Sequence, residues 1–192
     1  MADNRQWLDA GLTILDKHGA RALTIERLAG QVGLSKGSFY HHFGGMPGYK
    51  IALLSHFEAT YTTRYIDAIE QDPHATPRAK LNDLLDMVLA EDEDDHNLEV
   101  ALRAWALQDP VVRDAQERVD RIRVDYLRGL WLELTGDQEQ AALMGRLLYL
   151  ITIGGAQIIP YVPPGELHRL YEFVLGQVAD GQVVRPSSDA PS

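Results

Sequence analysis

Residues 24–43 read TIERLAGQVGLSKGSFYHHF, and the fold follows from how this stretch divides. Ile25, Leu28, Ala29 and Val32 recur at i, i+3, i+4 and i+7, which places four apolar side chains on one stripe of a helix. Thr24 precedes them as a natural N-cap. Gly33 follows, a residue able to take the left-handed conformation that ends a helix and turns the chain. Ser35 then caps a second short helix, Lys36 to Phe43, whose Phe39 and Phe43 face back toward the first. Lys36, Ser38, Tyr40, His41 and His42 have no apolar role. Two short helices about a glycine turn, with a polar outer face on the second, make a helix-turn-helix whose second helix can enter a DNA major groove.

The spacing T-I-x-x-L-A-x-x-V-G-L-S-x-G-S-F-Y-x-H-F resembles the DNA-binding signature of the tetracycline-repressor (TetR) family of bacterial regulators. The strong resemblance covers residues 5–54; beyond them only the helical layout agrees. It implies an all-helical homodimer in which a variable C-terminal domain holds a small ligand and controls the spacing of two recognition helices. Residue for residue, it puts Lys36, Ser38, Tyr40, His41 and His42 in the DNA-facing positions and Phe39 in the core. Lys36 can reach a guanine edge or a phosphate, and Ser38 a base or a phosphate. Tyr40 and His42 are expected on phosphates, with His41 on a base or a thymine methyl. Gly37 lets the helix backbone approach the groove, Ser35 stands at the helix N-terminus, and Thr24 can bond a phosphate through its hydroxyl and its backbone N–H. In one place the chain departs from the family, which commonly has a phosphate-binding lysine at about position 46. Met46 cannot do that, and Lys50, one turn on, is the candidate substitute.

Net charge is −10, which by itself argues against a polyanionic partner. Its distribution reverses the inference: residues 1–50 carry six Lys/Arg against four Asp/Glu, and residues 51–192 carry twelve against twenty-four. Only the N-terminal part is fit to approach DNA. The absence of cysteine excludes disulfides and thiolate metal sites and is compatible with a reducing compartment, so a cytoplasmic protein is expected. The longest apolar run, Leu147 to Val162, is interrupted by Gly154, Gly155, Gln157 and Pro160 and falls short of a membrane span.

Around the motif, Asp3 to His18 reads as a bracing helix carrying Trp7, Ala10, Gly11, Ile14 and Leu15 on one face. A glycine-rich turn leads at Pro47 into a long helix to about Gln71, ~37 Å at 1.5 Å per residue, able to join a reading head to a second domain. Gly48 is the expected point of motion. Further helices are expected from Thr76-Pro77, from Asn97 to Gln108, from Pro110 to Leu134 with Arg113, Arg118, Arg121 and Arg123 outside, from Asp137 to about Ile159 with a capping box to Gln140, and from Gly165 to Ala179. The third of these alternates its arginines with acids and is no nucleic-acid patch. The fourth is apolar nearly all round, with Gly145, Gly154, Gly155 and Ala156 suited to close backbone approach, so the last two helices are the candidate subunit interface. The expected architecture is all-α: a helix-turn-helix domain over 1–46, a regulatory and dimerisation domain over 47–180, and a disordered tail over 181–192.

The acidic run Glu91 to Asp95 with His96 invites a metal reading, but five successive acids cannot converge without a turn glycine, and no metal site is expected. Gly33-Leu34-Ser35-Lys36-Gly37 matches a hydrolase nucleophile pattern in the wrong context, since a helix and a cap precede the serine rather than a strand. No catalytic constellation and no cofactor site is found. Tyr61, Tyr65, Trp105, Tyr126, Trp131 and Tyr149 are candidates to line an apolar ligand pocket, with Arg103 as an anchor for an acidic ligand if it faces inward. The expected function is a dimeric repressor released from a near-palindromic operator by a small apolar or aromatic molecule. The alternatives are a regulator of the same fold governed by a partner protein or by no ligand and, more distantly, an enzyme of unknown mechanism.

Overall fold

The computed structural model describes residues 4–89 and 96–179 of the chain. Among these the protein is all-helical, as the sequence predicts, and contains no strand. The acidic run Glu91–Asp95, the side chain of His96 and the tail 181–192 lie outside the described residues. No described helix is long and apolar enough to cross a membrane.

The first three helices are α1 (Asn4–His18), α2 (Ile25–Val32) and α3 (Lys36–Phe43). Their ends obey local chemistry. The Thr24 hydroxyl accepts the Arg27 N–H and the Ser35 hydroxyl accepts the Ser38 N–H, both at 3.2 Å, while Gly33 and Gly44 close the two helices with φ of 71° and 68°. Phe39 is wholly buried, against Trp7 of α1 and Tyr49 of the next helix.

That next helix departs from the sequence reading. Instead of one helix from Pro47 to Gln71, α4 (Met46–Glu58) gives way to a π-helical segment, Ala59–Thr63, and then to α5 (Arg64–Ile69). The reason lies across the molecule. Arg123 donates from Nε to the Thr62 hydroxyl at 2.9 Å and from Nη2 to the Tyr61 carbonyl at 3.2 Å, and the wider π turn leaves that carbonyl free to accept. Arg123, expected on the outside, is therefore folded inward. Gly48 is not an open hinge either: a Cβ there would lie 2.2 Å from the Phe43 carbonyl oxygen, so its glycine serves close packing of α4 on the end of α3.

The remaining helices are α6 (Pro77–Leu89), α7 (His96–Ala106), α8 (Pro110–Thr135), α9 (Gln138–Gln157) and α10 (Pro164–Ala179). Thr76, Asp109 and Asp137 cap three of them as predicted. The capping box at Asp137 is only half formed, because the Gln140 side chain turns away to accept the Trp131 indole N–H at 3.3 Å. Gly145 does admit a close backbone, but within the subunit: a Cβ there would meet the Arg128 backbone of α8 at 2.8 Å.

Two apolar cores result. The first runs from α1–α4 without a break into α7 and the first half of α8, through Leu98, Leu102, Val112 and Val119. The second joins α6, the second half of α8, α9 and α10 around Trp131 and Leu148.

Gly48→Ala and Gly145→Ala are each expected to lower stability by ~1–3 kcal/mol, since a methyl group would be forced onto backbone that cannot step aside. Gly129→Ala, in open space on α8, should be neutral or gain up to ~1 kcal/mol from helix propensity. Urea unfolding of the three variants checks this; if Gly48→Ala behaves like Gly129→Ala, the close contact is wrong.

Candidate functional site

The outer edge of α3 is the first of two candidate sites. Because Phe39 points wholly inward, its neighbours on the helix cannot, and Lys36, Gly37, Tyr40 and His41 are exposed while Ser38 and His42 are half-buried. The Lys36 ammonium meets the Glu26 carboxylate, so the first turns of α2 and α3 lie close together at this edge. The hydrogen bond from Lys36 holds the Glu26 carboxyl below the ordinary carboxylate range. This pair is in open water and easily exchanged for another anion. Gly37 faces nothing closer than the Ser35 hydroxyl at 3.6 Å, so its lack of a side chain is no packing need and leaves the helix surface flat.

Lys50 is elsewhere. Its ammonium lies 2.5 Å from the Asp109 carboxylate, with both side chains about one-fifth exposed, at the junction of α4 with the start of α8. Lys50 thus already holds an anion. Asp109 in turn caps α8, and the hydrogen bond from Lys50 keeps its carboxyl below the ordinary range.

The second site is a cavity of about 180 Å³ between the π segment with its flanking helices and α6–α10. Tyr61, Tyr65, Tyr126 and Tyr149 line it, as the sequence reading proposed. Three of the candidates do not. Trp131 is fully buried in the second core with its indole on Gln140, and Trp105 packs on the first core. Arg103 lies behind the wall, held by both oxygens of Asp120 at 2.8 and 3.0 Å, by Glu99 at 3.0 Å and by the Tyr149 hydroxyl at 2.9 Å, so it has no charge to offer an acidic ligand.

Among the described residues the cation that does face the cavity is Arg123, paired with Glu99 at 3.1 Å. Sequence reasoning missed both. The signal was available: Arg123 falls four residues after buried Val119 and four before buried Leu127, on the inward stripe of α8. Behind them, Asp120 also accepts the Tyr149 hydroxyl at 2.7 Å and the Gln116 amide at 2.9 Å. Burial pushes the Asp120 carboxyl up, but the hydrogen bonds from Arg103, Tyr149 and Gln116 prevail and hold it below its ordinary value of 3.8. Burial likewise works against the charge on Arg123, and the carboxylate of Glu99 outweighs it.

With this geometry in hand, the comparisons with known proteins agree with the motif. Residues 8–47 match the family model of bacterial regulatory proteins of the tetR family, inside the stretch 5–54 over which the sequence shows the resemblance. The fold as a whole is that of TetR-family transcriptional regulators. A transcriptional regulator from Rhodococcus sp. Rha1 superposes with a TM-score of 0.74 at 17% identity over 96% of this chain and 100% of that one. A TetR transcriptional regulator from Legionella pneumophila gives 0.70 at 18% identity, over 94% and 96% of the two chains. A TetR transcription regulator from Haloarcula marismortui gives 0.71 at 22%, over 93% and 96%. No curated protein matches the chain.

Asp120→Asn should lower stability at neutral pH by ~1.5–3 kcal/mol, the value of a hydrogen-bonded charge partly removed from water. The folded-state carboxyl is depressed, so its contribution is present above the unfolded value and lost as pH falls through the folded one. The gap between the native protein and the variant should therefore close below pH 3.8, which thermal unfolding followed against pH measures. A gap that persists unchanged into strong acid would mean that the ion pair is not its source.

Proposed function

We propose that this protein is a sequence-specific DNA-binding transcriptional regulator, acting as a dimeric repressor that a small molecule releases from its operator, and not an enzyme. The observation that carries the reading is the outer edge of α3, where Lys36, Tyr40 and His41 are exposed on a helix whose opposite side is locked by Phe39. A rigid helix with donors and an aromatic at its surface, beside the N-terminus of a second helix, matches what major-groove reading requires. Thr24, Ser35 and Ser38 supply phosphate contacts from the same edge. The net positive charge of residues 1–50 favours approach, and the acidic remainder keeps non-specific binding modest.

Two-fold dimerisation is supported by apolar side chains on α9 and α10. Leu143, Leu147 and Leu150 run along one side of α9, and Leu170 and Phe173 along α10, all exposed and Phe173 two-thirds so. A stripe of this kind on a subunit marks a surface that another chain covers. Two heads held by such a dimer would meet successive major grooves about 34–36 Å apart, on a near-palindromic site.

Release by a ligand is supported by the position of the cavity. Its wall includes Phe57, Tyr61 and Thr62, which belong to the same run of helix that packs, through Tyr49, on the recognition helix. A ligand shifts DNA affinity only as far as it prefers the non-binding conformation, and a hundredfold preference per dimer corresponds to ~2.7 kcal/mol, enough to empty an operator. A small movement of α4 changes the separation of two heads, which a fixed half-site spacing penalises.

Fluorescence anisotropy on a duplex selected from random sequence, at fixed salt, tests the DNA assignment. Lys36→Ala and Tyr40→Ala should each weaken binding by ~1–3 kcal/mol without lowering the melting temperature; a double variant that binds as tightly as the native protein would sink it. For the dimer, sedimentation at micromolar concentration should find two subunits for the native chain and one for Leu150→Glu combined with Phe173→Glu. A native monomer, with or without DNA, would refute the two-fold arrangement.

A further inference from the structure

The geometry points to the chemical class of the cavity's ligand: an uncharged, mainly apolar molecule with one hydrogen-bonding end, such as an alcohol, ketone, ester or lactone, seated with that end between Arg123 and Glu99. This rests on the reading of the cavity as the regulatory site and narrows it.

The argument is one of charge balance. Among the described residues the cavity presents one cation and one anion, Arg123 and Glu99, and they are already paired at 3.1 Å. The layer behind repeats the balance, since Arg103 is shared between Glu99 at 3.0 Å and Asp120 at 2.8 Å. Two guanidiniums face two carboxylates. Next to the wall, Glu70 accepts the Tyr126 hydroxyl at 2.7 Å and is paired with Lys80, while Arg78 donates to the Leu175 carbonyl at 3.4 Å. Among the described lining residues no charge is therefore left uncompensated for a ligand.

An arriving carboxylate would have to leave water, displace Glu99 from Arg123 and then lie beside the displaced like charge. An arriving ammonium meets the same obstacle with the signs reversed, against Arg123 and Arg103. A neutral hydroxyl or carbonyl meets neither. The hydroxyl can donate to Glu99, whose oxygens accept more than one hydrogen bond each, and either group can accept an N–H of Arg123 without breaking the pair. The rest of the wall asks for apolar mass: Leu81, Leu84, Leu85, Leu127 and Leu148 close around the space, and the Tyr149 hydroxyl is already committed to Asp120.

The test uses the full chain and three probes of equal length, 1-octanol, octanoate and octylamine, titrated by isothermal calorimetry at neutral pH. Octanol should bind at least tenfold more tightly than either charged probe. Glu99→Gln, which leaves one positive charge unbalanced, should then raise octanoate affinity at least tenfold relative to octanol, a response that non-specific apolar binding would not give. Octanoate or octylamine binding the native protein as tightly as octanol overturns the neutral-ligand assignment while leaving the cavity as a ligand site. If none of the three binds, both the assignment and the cavity's regulatory role fall. The native-protein comparison decides the matter even if the variant does not fold. Octanol that binds as expected but leaves DNA affinity unchanged upholds the ligand class and counts against release.

Discussion

The burial of Phe39 is the constraint on which the rest of the head depends. Its ring lies 5.4 Å from that of Trp7, 5.2 Å from Phe43 and 5.1 Å from Tyr49, centroid to centroid, so α1, α3 and α4 share one aromatic cluster. Such contacts have preferred geometries and little compressibility, and they fix orientation as well as position. Tyr49 adds a polar stitch by donating its hydroxyl to the Trp7 carbonyl at 2.8 Å, and Gly11 makes the space, since a Cβ there would fall 1.9 Å from that hydroxyl. With α3 pinned on this side, its opposite side has to face solvent, and it is there that Lys36, Tyr40 and His41 lie.

The same rigidity links the head to the body by two routes. One is the continuous helical run α4–π–α5, which passes from Tyr49 at the head to Tyr61, Thr62 and Tyr65 at the cavity. The other is the first core itself, which α7 and the start of α8 share with α1–α4, reinforced by the ion pair of Lys50 with Asp109. Arg123 stands where the routes meet. From α8 it holds the π segment, Glu99 of α7 and the edge of the cavity at once. A partly buried guanidinium bound this way is less a source of stability than a fixed point, because the loss of hydration roughly offsets the attraction and the geometry alone is left to decide.

Several features of this architecture were legible in the chain because their causes are local. A cap at Thr24, Ser35, Asp109 or Asp137 needs only a hydroxyl or carboxylate within three residues of an N–H, and a stop at Gly33 or Gly136 needs only a backbone free to take positive φ. The apolar stripe of α2 and the inward Phe39 follow from the 3.6-residue period. Hence the helix-turn-helix and the exposure of Lys36, Gly37, Tyr40 and His41 could be read from the chain, whereas Ser38 and His42, expected outside as well, are half-buried. The ion pair of Lys50 was not legible, since its partner Asp109 is a distant residue of the chain.

The sequence by itself therefore determined the helical class, the cap and stop of most helices and the helix-turn-helix motif, all set by interactions within one or two turns of chain. Only the tertiary structure decided that Arg123 turns inward and opens a π segment at Tyr61, that Arg103 and Trp131 are withdrawn from the cavity, and that Gly48 packs rather than bends. Each of these depends on which helices lie side by side and on the sharing of charge among Glu99, Asp120 and two arginines. Periodicity carries no record of that sharing, because an arginine that balances a neighbour in sequence and one that balances a carboxylate across the core are written with the same letter.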